Sequence, residues 1–533
     1  MGISGTVVPL RDRLSVRQKW LLVGTLLISM FVTSMNQQIV ATAAPRIVAD
    51  LGAFHLLSWV FTVFMLASTV VMPVVGKLSD TLGRRAFMIG GLAVFVAGSA
   101  GCGLAVSMEM LIVSRAVQGV GAGTVIAVLL VIFWDLFSPQ DGGKYLPLFI
   151  AVSSVAQLAG PTLGGVITDG IGWRWNFFIS IPFALGAMVL VGLYLPAHQR
   201  EGDRPPIDFV GALLLTVSST ALLLAVAWAQ GEFGWGGTET LSLIAGGVVF
   251  GTLFMFQEWR HPEAMLPFHI LRNRDFMLAT SILAVSGSAA FGAATYLPTF
   301  LQTALDTSAT VSGLIMAPQA IGLLVGTFVS GQLLSRTGRF RMQLLGGLLL
   351  ALLGVLLLRS LDTEDARWQA GAYVAIVGFG AGIAMTTMTV ITINVVRHEV
   401  IGAAIGVRQF LQQMSVVFAL AIYGVLLTST YRSSFEAELL TVAPAQAEAT
   451  VLADFYDPTL ALDVSRYEAA RTAVQELDGG DRLLEAVLVA QRHGVADANR
   501  SIFTLSALLL VLGVVAAILM HERPIRGFEE GDR

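Results

Sequence analysis

The chain predicts an all-α integral membrane fold, and three observations carry that reading. Apolar segments of membrane-spanning length recur from Trp20 to Met520. Charged residues make up only 13% of the chain, against roughly 25% in soluble domains, and hydrophobic ones 55%. Most of the charge falls in the short gaps between apolar segments. A helix of about 20 residues crosses the hydrocarbon core, where every backbone N–H and C=O must be satisfied internally, so segments of this length must be helices. A mean hydropathy of +0.76 leaves too little polar surface for a water-facing body. The net charge of −4 and the dispersed basic residues give no basis for a nucleic-acid partner, and none is expected. The single cysteine, Cys102, excludes an intramolecular disulfide and reads as a small core residue.

Fourteen spans follow in order: 20–44, 56–76, 86–106, 109–133, 144–168, 176–196, 208–229, 240–260, 276–300, 309–333, 342–360, 369–395, 402–428 and 501–520. An even number places both termini on one side. With the termini in the cytoplasm, twenty Lys and Arg fall in cytoplasmic segments and four in short outer loops, as the positive-inside rule requires. The N-terminal stretch lacks an apolar core followed by a small-residue cleavage site, so no removable signal peptide is expected. The segment 429–500 is the one sizeable region outside the bilayer. Runs such as SRYEAARTAVQELDGG show helical apolar spacing closed by glycine. Short amphipathic helices are expected there, extending the thirteenth and fourteenth spans. They would serve as a solvated connector, a lid, or a docking surface for a lipid or a periplasmic adaptor.

An internal repeat defines the architecture. GKLSDTLGRR after the second span matches GQLLSRTGRF after the tenth, aligning Gly76, Gly83 and Arg84 with Gly331, Gly338 and Arg339. A six-helix repeat then pairs spans 1–6 with spans 9–14 and leaves spans 7–8 as an insertion. The expected domains are residues 1–200, an inserted pair with linkers over 201–275, and 276–533. Parallel six-helix repeats make a two-lobed transporter whose site lies near the midplane. In the turn, Gly76 and Gly83 permit close approach and reversal, and Arg84 and Arg85 stay at the interface. Asp80 is able to accept hydrogen bonds at the N-terminus of the helix that follows it or to pair with Arg84, with Asp135 as a third member. Such a cluster acts as a latch, made in one conformation and broken in the other, or as a turn with ordinary surface pairs.

With these motifs in place the chain resembles the major facilitator superfamily, in its fourteen-helix drug:proton antiporter subfamily. The resemblance rests on Gly76 to Arg85, on Arg115-Ala116-Val117-Gln118-Gly119-Val120-Gly121-Ala122-Gly123, on Gly160-Pro161-Thr162-Leu163-Gly164-Gly165, on Trp173 to Phe178, and on Gln37 to Gly52. It implies a major facilitator fold of two six-helix lobes plus two inserted helices. It also implies efflux of small molecules driven by the proton gradient, without a cofactor.

Arg115 lies a few residues into an apolar span, where an unpaired charge costs about 2.5–3.5 kcal/mol on insertion scales. It therefore needs a wet cavity, a partner, or a snorkelling path to the interface; Gln118, at i+3, shares its face. Gly160, Pro161, Gly164 and Gly165 combine a proline bend with a bare backbone face. Either tight packing or a seam that reseals during transport would use them, and Gly119 and Gly123 repeat the spacing. Asn36 stands where the family usually carries an aspartate and has no proton to lose. Coupling then falls to Asp80, Asp135 or another acid at a helix end, to a substrate whose own titration Arg115 modulates, or transport is uncoupled. The second lobe offers Gln319, Asn394, Arg408 and Gln412 as cavity or helix-contact residues, with Gln37 and Gln157 in the first lobe. No zinc pattern, nucleophile elbow or Walker loop is present, so catalytic and metal sites are not expected. The reading is a multi-pass exporter of lipophilic or amphiphilic molecules in a bacterial cytoplasmic membrane, its partners being the bilayer and its substrate. The alternatives are a specific lipid or secondary-metabolite exporter without coupling, or a membrane sensor or scaffold.

Overall fold

The computed structural model describes residues 14–53, 56–196, 208–230, 233–261, 268–307, 309–363, 366–397, 400–442, 452–458, 460, 464–477 and 480–522; Gln157 and Pro161 are among the helical residues whose side chains lie outside that description. Fourteen long helices stand at the fourteen expected spans: α1 Val16–Leu51, α2 Leu57–Leu82, α3 Arg84–Gly103, α4 Met108–Leu136, α5 Pro139–Gly170, α6 Ser180–Tyr194, α7 Phe209–Gln230, α8 Thr238–Arg260, α9 Arg274–Thr303, α10 Ala309–Thr337, α11 Arg341–Arg359, α12 Arg367–Asn394, α13 Ile401–Val442 and α14 Gly480–Leu519. Thirteen are long and apolar enough to cross a membrane, α6 when taken together with the short helix Trp175–Phe178 that leads into it. The exception is α5, whose described apolar stretch, Lys144–Ser153, is shorter. The chain is thus a multi-pass membrane protein.

Local signals set the ends. Ser15 closes a capping box on α1, Ser107 caps α4, and Ser138 with Pro139 in the first turn opens α5. The second glycine of each repeat copy ends its helix in the left-handed region, Gly83 at φ +101° and Gly338 at φ +64°. A side chain would strain both turns. The two copies therefore share a positive φ at this glycine as well as the spelling.

The first six helices and the last six pack by the same rule. In the first set α4 lies against α2 and α3, α5 and α6 against α1, and α6 against α3; in the second, α12 lies against α10 and α11, α13 and α14 against α9, and α14 against α11. The sets meet along two seams related by the same offset, α2 with α13 and α5 with α10. The inserted pair breaks this symmetry. Its helices pack on each other, and α7, backed by Phe254 of α8, covers the α2–α13 seam through Val70, Leu215, Leu223, Phe410 and Met414. The face where α1 begins and α14 ends also carries Lys77, Arg84, Arg336 and Arg339, and is here the basic face.

On the opposite face α13 and α14, at 42 and 40 residues, run about 60 Å, twice the hydrocarbon thickness of about 30 Å. They extend into an outer body with the helix Val464–Gln475 and a single 3₁₀ turn at Ala453–Tyr456. Tyr431, Phe435, Phe455 and Val474 are fully buried in it, and the Tyr431 hydroxyl donates to the Phe455 carbonyl at 2.6 Å. Arg466 clasps Asp454 and Asp457 at 2.6 and 2.9 Å, and Arg500 ties the body to Asp362 at 2.8 Å. The segment 429–500 is thus a packed extension of the thirteenth and fourteenth spans where it is described.

Candidate functional site

The seam between α2 and α13 at the basic face is built from glycine and one carboxylate. A Cβ on Gly76 would come within 2.4 Å of the Gly402 carbonyl oxygen, and one on Gly406 within 2.8 Å of the Met72 carbonyl oxygen. The two backbones therefore touch, which no larger residue would allow. Asp80, one turn beyond Gly76, reaches across the seam. Its carboxylate accepts from the Gly402 N–H at 3.2 Å and the Ala403 N–H at 2.9 Å, in the first turn of α13. These amides have no partner within the helix, and their positive end favours an anion. Arg84 binds Asp80 at 3.2 Å and also pairs with Asp135 at the end of α4. Arg85 turns away and donates to the Gly192 carbonyl of α6. Asp80, Arg84 and Asp135 thus form one cluster, and Asp80 carries it to the other lobe.

The second repeat copy does not reproduce this contact. Ser335 occupies the place of Asp80 and its hydroxyl donates back to the Gln332 carbonyl at 3.0 Å, while Arg339 is exposed and its backbone N–H bonds the Thr337 hydroxyl. Gly331 and Gly338 are buried at the end of α10.

Deeper in the first lobe, Arg115 is 1% exposed and surrounded by neutral groups. Its Nε donates to the Val60 carbonyl at 3.1 Å, and its Nη1 to Asn36 Oδ1 at 3.1 Å and Gln118 Oε1 at 2.7 Å. The guanidinium lies 4.0 Å from the centre of the Phe64 ring. Gln118 passes the chain on to Ser99 at 2.7 Å, and Ser180 bonds Ser99 at 3.3 Å. Five helices, α1 to α4 and α6, are joined through this cluster. Gly119 and Gly123 sit against the Phe64 and Ser68 carbonyls of α2, so their spacing serves packing within the lobe. Gln37, next to Asn36, is exposed.

In the second lobe Arg408 is 4% exposed and donates to Gln412 Oε1 at 3.2 Å, while its buried Nε has no hydrogen-bond partner among the described residues. Gln319 donates to the Ala290 carbonyl at 3.2 Å, and Asn394 is buried at the end of α12. In α5, Gly160 and Gly164 are buried, and the space beside Gly165 is open. Gln157 and the Pro161 ring lie outside the described residues. Among the described residues no three of His, Cys, Asp and Glu gather as a metal ion would need.

Two contributions escape the motif reading. The partner amides of Asp80 belong to GAAIG at 402–406, whose small-x-x-x-small spacing was the available signal. Asp50, at the end of α1, accepts from the Trp173 indole at 2.8 Å and from Arg174 at 3.0 Å. Those donations, the indole first, hold its carboxyl below the usual range.

Paired six-helix sets that meet along two seams, one of them bridged by the Asp80 carboxylate, match the architecture of a membrane transporter. The Major Facilitator Superfamily profile matches residues 26–420, and the chain belongs to that family. It is 32% identical over 414 residues to the multidrug transporter protein MdtP of Bacillus subtilis, covering 77% of this chain and 76% of that one. It is likewise 32% identical over 407 residues to multidrug resistance protein 3 of the same organism, covering 76% and 79%. Among solved structures, the proton:xylose symporter XylE superposes with a TM-score of 0.58 over 98% of this chain and all of that one, at 11% identity, a likeness of fold alone. The family and these relatives are transporters rather than enzymes.

Proposed function

We propose that the chain is a secondary active exporter of lipophilic or amphiphilic small molecules, working by alternating access across a bacterial cytoplasmic membrane with the basic face in the cytoplasm. The observation that carries this reading is the bond from Asp80 to the first turn of α13. It joins the two lobes, lies at the face where export loads, and is electrostatic rather than apolar. Charge-assisted hydrogen bonds of this kind contribute about 1.5–3 kcal/mol each, so the contact is strong enough to hold a closed state and weak enough to reopen. The names of the bacterial relatives favour drugs as the cargo class.

The proton gradient is the energy source in this reading. Asn36 meets Arg115 as a neutral amide, so the first span supplies no proton carrier. The buried carboxylates at the gate, Asp80 and Asp135, take that role. A proton on Asp80 cancels the charge that Arg84 and the Gly402 and Ala403 amides hold, and so releases the seam. Efflux tests the proposal. Cells expressing the chain and loaded with a fluorescent lipophile should retain less of it, and a protonophore should restore retention. Proteoliposomes given an imposed pH step should move the same probe, and Asp80→Asn should abolish that response. Unchanged retention in cells, together with no flux in liposomes, would overturn the reading.

A further inference from the structure

We propose that Arg408 is the recognition point for the acidic group of an amphiphilic organic anion, an inference that rests on the transport reading and names the charge of its cargo. Within the fourteen helices, leaving aside the outer arms of α13 and α14, every Asp and Glu stands within four residues of a helix end. Arg115 and Arg408 lie deeper: Arg115 is the eighth residue of α4 and Arg408 the eighth of α13, each about 10 Å in from opposite faces. The interior therefore carries fixed positive charge and no matching fixed negative charge.

The two cations differ in what surrounds them. The first lobe engages Arg115 with the carbonyl of Val60, the amides of Asn36 and Gln118 and the face of Phe64. Those groups belong to three helices of one lobe, α1, α2 and α4, and they lock the side chain in place. Arg408 has Gln412 on its own helix, one turn away, and a buried Nε with no bond among the described residues. Gln409 beside it likewise has a buried, unbonded Oε1. Arg408 shares its face of α13 with Gln412 and Ser415, which meet Gly287 and Ser288 of α9. That face looks into the second lobe's interior rather than onto the α2 seam. Its depth is about 9 Å above Gly402, on the interior side of the Asp80 contact.

A guanidinium in this setting has fixed donors and a forked geometry that fits a carboxylate, sulfonate or phosphate. Burial with one donor unmatched makes an incoming anion a better partner than a neutral acceptor, and a cation the worst. The cargo class that follows has one acidic group and an apolar body.

Binding to purified protein in lipid nanodiscs tests this with three fluorescent probes of one skeleton, carrying a terminal carboxylate, a primary amide or a trimethylammonium group. The expected order is carboxylate over amide by about tenfold, with the ammonium weakest. Arg408→Gln should collapse the carboxylate-to-amide ratio to about one, and Arg408→Lys, which keeps the charge and loses the fork, should leave an intermediate ratio. Thermal unfolding of each variant shows whether it is folded; should Arg408→Gln fail, the lysine variant and the wild-type ranking decide. A wild-type preference for the amide or the ammonium, or an unchanged ratio in the folded variants, overturns the inference. Arg408-dependent carboxylate binding without flux in proteoliposomes would leave the charge assignment standing and remove the transport reading instead.

Discussion

Asn36 decides what Arg115 does. As an amide it offers the guanidinium a dipole, and the remaining contacts come from Val60, Gln118 and the Phe64 ring. This makes Arg115 a rivet between helices of one lobe. Arg115→Met should leave at least two buried acceptors unsatisfied, at about 1–3 kcal/mol each. The expected outcome is a lower unfolding temperature in detergent, with flux per folded molecule retained; lost flux at unchanged melting would show instead that the cation acts on cargo. The sequence showed that Arg115 needed a partner and that Gln118 shares its face. It did not show which groups would close around it, because Asn36, Val60 and Ser99 come from three other helices. The same limit applied to Asp80. Its reach to Arg84 is readable at i+4, whereas its reach to Gly402 and Ala403 spans more than three hundred residues.

At the scale of elements, the seam between α2 and α13 is a backbone contact, and that makes it sensitive to single methyl groups. A side chain at Gly402 meets both the Gly76 carbonyl oxygen and Asp80 Oδ1 at 2.5 Å. Gly402→Leu should therefore weaken closure of the basic face by about 1–3 kcal/mol or more, a shift of roughly 5- to 150-fold in population. Amide hydrogen exchange in the first turn of α13 reads this directly, and faster exchange with unaltered protection of α4 is the expected result. Asp80→Asn should act in the same direction by removing the anion from the amides. The outer body answers to pH instead. The Thr363 N–H first, and then Arg500, hold the Asp362 carboxyl below its usual range. A depressed carboxylate contributes stability that is present above the unfolded value of about 3.9 and is lost as pH falls through the folded value. Exchange in the residues around Asp362 and Arg500 should accordingly quicken below about pH 4, and Arg500→Gln should shrink that dependence without removing it, because the Thr363 N–H still holds the carboxylate. Helix positions were legible to within a few residues for nearly every span, because lipid allows one solution for the backbone. The length of α13 and α14 was less so, since the outer arms are held by buried aromatics such as Tyr431 and Phe455 rather than by an apolar run.

At the scale of the whole molecule, the pairing rule repeated between α1–α6 and α9–α14 makes a two-fold machine, and three features break that symmetry on one side. Asp80 has Ser335 as its counterpart, α7 covers the α2–α13 seam, and the outer body grows from α13 and α14. Under the proposed alternating access the two seams would not be loaded equally, because among the described residues it is the α2–α13 seam that holds the Asp80 contact and the α7 cover. The repeat was visible in ten residues of each copy, and with it the number of lobes. The asymmetry was not, because it depends on which of two equivalent seams the inserted pair covers. All of this requires that the ends of α2 and α10 face the same compartment. In a Cys102→Ser background, Arg336→Cys and Arg339→Cys should resist a membrane-impermeant thiol reagent added to intact cells and react after permeabilisation. Thr363→Cys, in the turn beyond the far end of α11, and Ser433→Cys, in the outer arm of α13, should react in intact cells. All four positions are outside the apolar cores of their helices, so substitution there leaves packing intact. Reaction of the first pair in intact cells with protection of the second would invert the orientation and turn the latch face outward, making the Asp80 contact an exit gate. Reaction of all four would break the even span count, and with it the equivalence of the two lobes from which the seam geometry follows.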